Sequence, residues 1–236
     1  KAESGYYSGH GGAVYGGSDH EDIPPLKFTR CYFRGNTAKG RQNGFGGALY
    51  LDMGFELANC SITGNTATTS SAGSYYYGRG GAIYMDNYQR YNSGYQGADS
   101  KVTNCTIASN TASSTSGSSD WGGGIYAYSL ASTEFTMFNT IIWGNTADNY
   151  ESIYRSSTNM TLTFDYNNIA DYDYTLASNS TAIDPGFTNA SNNDYTLSSS
   201  SYLLGAGATT YDGNAAPTND IASSSRPNPS GTSPDL

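Results

Sequence analysis

The chain returns to one phrase four times. It reads CYFRGNTA from Cys31, CSITGNTA from Cys60, CTIASNTA from Cys105 and NTIIWGNTA from Asn139. A second phrase alternates with it: GGAVY from Gly11, GGALY from Gly46, GGAIY from Gly80 and GGGIY from Gly122, with a degraded copy, YESIY, from Tyr150. Self-similarity of this kind marks a solenoid, in which one repeat cannot bury its apolar face alone and stacked repeats share a continuous core. The phrases stay constant while the connections vary, most of all over 68–79 and 85–104, which are rich in Ser, Gly and Tyr. A solenoid confines insertions to loops in the same way.

Within each phrase the polarity alternates. Cys60, Ile62 and Gly64 share one face, and Ser61 and Thr63 the other; Ala48 and Tyr50 oppose Leu49 and Leu51. A period of two means strands. No apolar stripe of helical period is present, which excludes helical and leucine-rich solenoids. Short strands, Gly-rich corners and about 30 residues per coil predict an all-β fold, a parallel β-helix of about five to seven coils. The repeats are expected over 1–204, followed by an irregular segment, 205–236, that caps the helix or reaches a neighbour.

In such a fold each residue lies about 4.8 Å above its equivalent in the next coil, so repeated residues become columns. Asn36, Asn65, Asn110 and Asn145 are expected to form an asparagine ladder at a corner, where stacked amides satisfy turn backbone. Cys31, Cys60 and Cys105 are expected to stack in the core, with Asn139 interrupting the column. Cys31 and Cys60 are alternatively near enough to bridge, which leaves Cys105 unpaired. Tyr15, Tyr50, Tyr84 and Tyr126 recur at one position and read as a structural stack. Tyr75, Tyr76, Tyr77, Tyr88, Tyr91 and Tyr95 sit in the long loops, where exposed aromatics suit sugar stacking or protein contact, or simply pack on the helix wall.

Composition narrows the function. With 22 Tyr among 236 residues and only 13% charged residues, the chain is unlike a disordered one, which is highly charged and poor in aromatics. Its net charge of −9 comes without any Lys/Arg cluster, so neither nucleic acid nor an anionic membrane surface is an expected partner. No run of about 18 apolar residues predicts a transmembrane helix. The chain begins inside a repeat, as a processed or trimmed form would. Three Cys and two His, His10 and His20, without metal-binding spacing make zinc unexpected. Both His fall in the irregular N-terminal portion and read as surface or loop residues.

The best carboxylate pair is Asp52 and Asp86, each two residues after the phrase-one Tyr. Adjacent coils place them about 5 Å apart. Carboxylates that close suit catalysis or hold calcium with help from Asn87; the plain reading is two solvated Asp at strand ends. Asn59, Asn104, Asn159, Asn179 and Asn189 fit the N-x-[ST] pattern, which an Asn/Ser/Thr-rich chain meets by chance.

GGA[ILV] alternating with FxxN-like strings resembles the repeat of chlamydial polymorphic outer-membrane proteins, and more broadly the secreted proteins of the pectate-lyase-like right-handed β-helix superfamily. Phe33-Arg-Gly-Asn36 carries FxxN; Ile62, Ile107 and Ile142 take the Phe place before Asn65, Asn110 and Asn145. Asp184-Pro-Gly-Phe187, Asp194-Tyr-Thr-Leu197 and Ser201-Tyr-Leu-Leu-Gly-Ala-Gly207 resemble the DPxF…DYxL…SPAIDAG strings of anchor-bearing β-helix surface proteins, without the Pro and Asp of the last string. The tail from Asp220, with Arg226-Pro227 and Pro234-Asp235-Leu236, resembles the ending of the same proteins. The resemblance implies a right-handed helix and export. It leaves activity open, because such relatives include lyases, hydrolases, adhesins and autotransporter passengers.

The leading expectation is a secreted or cell-surface structural or adhesive protein without catalytic or metal residues and without a cofactor. It would assemble head to tail into an extracellular filament and contact a surface glycan or a host or cell-surface protein. The rival is a carbohydrate-active enzyme or glycan-binding module built on Asp52, Asp86 and the loop Tyr, with calcium as its ion.

Overall fold

The computed structural model describes residues 2–3, 7–17, 24–73, 75–87, 98–115, 119–171, 179–226 and 233–236. The chain winds through five short strands per coil, and each strand pairs in parallel with its equivalent one coil away. Sheet A holds Ala2–Glu3, Thr37–Gly40, Thr66–Thr69 and Thr111–Ser113. Sheet B holds Ser8–His10, Asn43–Phe45 and Gly78–Arg79. Sheet C holds Val14–Gly17, Leu49–Asp52, Ile83–Asn87, Ile125–Ser129 and Ile153–Arg155. Sheet D holds Leu26–Thr29, Phe55–Ala58, Ser100–Thr103, Thr133–Phe138 and Met160–Asp165. Sheet E holds Tyr32–Arg34, Ser61–Thr63, Thr106–Ala108, Ile141–Trp143 and Asn168–Ile169. The result is an all-β parallel β-helix of five coils.

Backbone geometry explains the phrases. Phrase one begins at the corner before sheet C, where Gly11, Gly46, Gly80 and Gly122 have φ of +55 to +65°, a region glycine enters without strain. The second glycine serves a different need. A Cβ on Gly81 would stand 2.1 Å from the Gly123 carbonyl oxygen, so only glycine lets the coils approach. Phrase two spans a strand of sheet E, a left-handed residue (Gly35, Gly64, Ser109 or Gly144), an Asn, and then a strand of sheet A or its continuation.

The core is a set of in-register columns. Leu49 lies level with Ile83 and Ile83 with Ile125; Leu57 lies level with Val102 and Val102 with Met137. All six are buried. At the E–A corner, Asn36, Asn65 and Asn110 each donate their backbone N–H and Nδ2 to the Oδ1 of the next Asn, over 2.8–3.0 Å, ending on Asn145. The Nδ2 of Asn65, Asn110 and Asn145 also donates to the carbonyls of Phe33, Ile62 and Ile107.

Cys31, Cys60 and Cys105 follow one another in register, and all are free thiols. The next place in that column belongs to Thr140, since Ile141 pairs with Thr106. The expectation that Asn139 interrupts the column is therefore displaced by one residue. Thr140 Oγ1 donates to the carbonyl two residues back, as the three Cys thiols do. Asn139 belongs instead to a second asparagine column at the D–E corner, where Asn59, Asn104 and Asn139 have φ of +53, +51 and +52°.

The parallel pairing ends where Thr181 bridges Asn168. Beyond it come two antiparallel hairpins, Phe187–Asn189 with Asp194–Leu197 and Thr210–Tyr211 with Asn214–Ala215. The irregular part thus starts earlier than residue 205. It lies along the side of the helix: Ala208, Asn219 and Ser223 bond to Asn139, Asn59 and Arg30, which belong to different coils. Among the described residues no helix is long and apolar enough to cross a membrane.

Candidate functional site

The outer face of sheet C carries an aromatic wall. Tyr15, Tyr50, Tyr84 and Tyr126 stack with ring centroids 5.1, 5.1 and 4.9 Å apart and planes within 13, 9 and 4°. Parallel in-register strands impose that spacing, because each Tyr is the same step of the same coil. Tyr154 continues the stack at 5.3 Å with its ring tilted. Sheet B supplies a second file of unlike residues. His10 lies 4.6 Å from Tyr50, Phe45 4.8 Å from Tyr84, and the Arg79 guanidinium 5.1 Å over Tyr126. Arg79 also lies over Tyr77 and Trp121, at 4.8 and 5.2 Å, where the negative ring faces favour a cation.

The two files seal one another. Tyr50, Tyr84 and Tyr126 are 8, 6 and 5% exposed although they point away from the core. Burial, reinforced by the neighbouring Asp86 carboxylate, raises the Tyr50 and Tyr84 hydroxyls far above the usual phenol range. Burial also lowers the His10 imidazole. His10 is thus an in-register wall residue on a strand and not the loop residue expected. His20 lies outside the described residues.

Asp52 and Asp86 each follow the last residues paired between their two strands, Leu51 and Met85. The wall already uses one of them: Tyr50 Oη donates to Asp86 Oδ2 at 2.7 Å. On the far side Asp86 faces Tyr128, so the carboxylate column stops at two. Calcium takes six to eight oxygens, so carbonyls or water would have to complete any shell begun by these two carboxylates. Among the described residues no three His, Cys, Asp or Glu side chains converge on a metal position.

The loop tyrosines separate into kinds. Tyr75 is 79% exposed. Tyr76 accepts a hydrogen bond from Gln42 Nε2 at 3.2 Å, and Tyr77 packs 5.3 Å from Trp121. Both therefore belong to the wall's rim. Tyr88, Tyr91 and Tyr95 lie outside the described residues.

A second feature is lateral. The hairpin over Phe187–Leu197 and the tail stand off the outer face of sheet E and enclose a cleft of about 500 Å³. Tyr32, Arg34, Asp194, Asp220 and Arg226 line it. Arg226 Nη1 donates to Asn59 Oδ1 at 2.6 Å, and Asn59 Nδ2 donates to the Asn219 carbonyl. The Pro234-Asp235 end closes on the Gly205–Gly207 stretch, with Asp235 Oδ1 accepting from the Gly205 N–H and the Pro234 carbonyl from Gly207. The left-handed D–E corner holds this tail, and the sequence signal for it was the Asn standing directly before Cys60, Cys105 and Thr140. Taken one at a time, Asn59 and Asn104 read as chance N-x-[ST] patterns and Asn139 as a break in the cysteine column.

Residues 30–52 and 59–86 match the Chlamydia polymorphic membrane protein repeat. Both matched segments start at the same left-handed corner, Arg30 in one coil and Asn59 in the next, and both run through the strand of sheet C one coil on. The matched repeat is thus the part of one circuit from sheet E through sheet C, without its sheet D strand, carrying the Asn of the E–A corner, the paired Gly and the wall Tyr. The chain is a parallel β-helix resembling those repeats. No curated protein and no solved structure matches it.

Proposed function

We propose that this chain is a non-enzymatic section of a cell-surface β-helical rod, which lengthens by coil-on-coil stacking and offers its non-repeating loops for adhesion. The observation that carries this reading is the contrast between the first coil and the second. Val14, Leu26, Phe28 and Cys31 are only partly buried, whereas Leu49, Phe55, Leu57 and Cys60, their counterparts one coil on, are fully covered. Tyr15 is 61% exposed where Tyr50 is 8%. All five sheets also end on strands of this coil, and open edges with half-covered core residues recruit another strand layer. At the other end Ile153, Met160 and Ile169 are buried, so the first face is the one left to take another layer, from a further coil or from a second copy of the chain. The matched repeat, named for a membrane protein, supports a surface location.

Sedimentation velocity over a range of concentrations tests the stacking. Association is expected to be lost when Phe28 or Val14 is replaced by Asp; a monomer at high concentration whose first-coil amides already resist exchange would refute it. The lateral cleft, with exposed Tyr32 beside Arg34 and acidic groups, favours one second reading, a glycan-binding module. A glycan array on the native chain and on Tyr32→Ala separates the two readings. Asp52→Ala and Asp86→Ala, assayed for glycan hydrolysis and for a calcium-dependent shift in unfolding temperature, test the enzymatic form of it.

A further inference from the structure

The thiol column contains a pair, Cys31 and Cys60, of which Cys60 also borders the lateral cleft. Cys31 and Cys60 occupy equivalent places in neighbouring coils: Ser61 pairs with Tyr32, and the Ser61 N–H donates to the Cys31 carbonyl at 2.9 Å. Adjacent strands lie about 4.8 Å apart, inside the Cα separation that a disulfide spans. Each thiol donates to the carbonyl two residues back, so the two side chains leave their strands in the same direction. Their environments differ. Cys31 lies in the terminal strand layer and is partly exposed, whereas Cys60 is 2% exposed.

We propose that Cys31 and Cys60 form a reversible disulfide that ties the first coil to the second, with a small-molecule disulfide such as oxidised glutathione as the oxidant. Cys31 is the entry point. Its thiolate attacks the small disulfide, forms a mixed disulfide and releases one small thiolate. Cys60 then attacks the Cys31 sulfur, closes the protein disulfide and releases the second. Two cysteine thiols are oxidised, one small disulfide is reduced to two thiols, and both protons leave on those thiols. Cys60 suits the resolving role, because hydrogen bonding with the Cys105 thiol holds it below the usual thiol range. Burial raises the Cys31 and Cys105 thiols alike; Cys105 suits neither role because the core encloses it, and Cys31 is the entry point through its exposure and not its acidity. Small disulfides are available in the oxidising surroundings of a surface protein.

The test uses the full folded chain, reduced and then exposed to oxidised glutathione. The expected product has lost two hydrogens by intact mass, links the Cys31 and Cys60 peptides, and leaves Cys105 open to alkylation only after unfolding. Amide exchange across 26–34 is expected to slow. Cys60→Ser is expected to stop the reaction at a glutathione adduct on Cys31, and Cys105→Ser to form the same Cys31–Cys60 link more slowly. A Cys60–Cys105 link, a stable adduct on Cys31 in the unaltered chain, or three free thiols under an oxidant that converts Cys31 peptides in the unfolded chain would overturn the proposal.

Discussion

Replacing Asn110 with Ala removes an amide that, like that of Asn65, makes four hydrogen bonds at the E–A corner. Asn110 Oδ1 accepts from the Asn65 N–H at 2.9 Å and from Asn65 Nδ2 at 2.8 Å. Its Nδ2 donates to the Ile62 carbonyl and to Asn145 Oδ1, both at 2.9 Å. The neighbours do not lose equally. Asn65 Nδ2 keeps the Phe33 carbonyl and Asn145 Oδ1 keeps the Asn110 backbone N–H. The Asn65 N–H loses this acceptor in a place where Asn65 is 0% exposed. A buried donor left unsatisfied costs about 1–3 kcal/mol, and each other lost bond about 0.5–1.5 kcal/mol. The expected loss is about 3–5 kcal/mol. Asn36 is the internal control, since it is only partly buried and its side chain makes one of these bonds; Asn36→Ala should cost about 1 kcal/mol. Urea unfolding reads both as shifts in midpoint at constant slope, and hydrogen exchange at Asn65 locates the damage. An Asn110→Ala loss no larger than that of Asn36→Ala would refute the reasoning, because position along the column would then carry no energy.

Gly81→Ala should destabilise far more than Gly64→Ala. The first drives a Cβ into the Gly123 carbonyl at 2.1 Å, while the second meets nothing within 4 Å and bears only a φ of +64°, worth about 1–2 kcal/mol; midpoints of unfolding compare them. Above about pH 10, where tyrosines of the unfolded chain ionise, stability should fall steadily. The folded state keeps protons on Tyr50 and Tyr84 that the unfolded state has released, so this stabilisation is present below that pH and lost above it. A late component of the tyrosinate absorbance, from Tyr50 and Tyr84, should then rise together with unfolding. Arg226→Ala should remove one of the tail's two bonds to Asn59, leaving the one to the Asn219 carbonyl, and make 205–226 more open to limited proteolysis while the coils stay intact; an unchanged cleavage pattern would show that the tail is held elsewhere.

Much of the scaffold was legible in the residues. GGALY and CSITGNTA each alternate, and their strict order allows only one kind of coil. The wall Tyr and the E–A corner Asn recur at fixed phrase positions, so their columns follow from register alone. The second file of the wall was hidden because its members, His10, Phe45, Arg79 and Trp121, share a place but no chemistry. Thr140 was hidden for a similar reason: a Thr in a column of Cys looks like an interruption until strand pairing puts it level with Cys105.

What the sequence by itself determined was the coil: a local period of two, corners that need glycine, and residues that repeat because each copy is the template for the next. Those are nearest-neighbour properties, and a repeat carries them wherever it stands in the chain. The tertiary structure alone decided three other matters. It sealed the Tyr stack beneath a file from another sheet, it engaged Asp86 with the Tyr50 hydroxyl, and it laid the tail along the D–E corner to enclose the lateral cleft. Each joins residues far apart in the chain whose contact depends on where whole sheets end up, and no spacing within a single repeat encodes that distance.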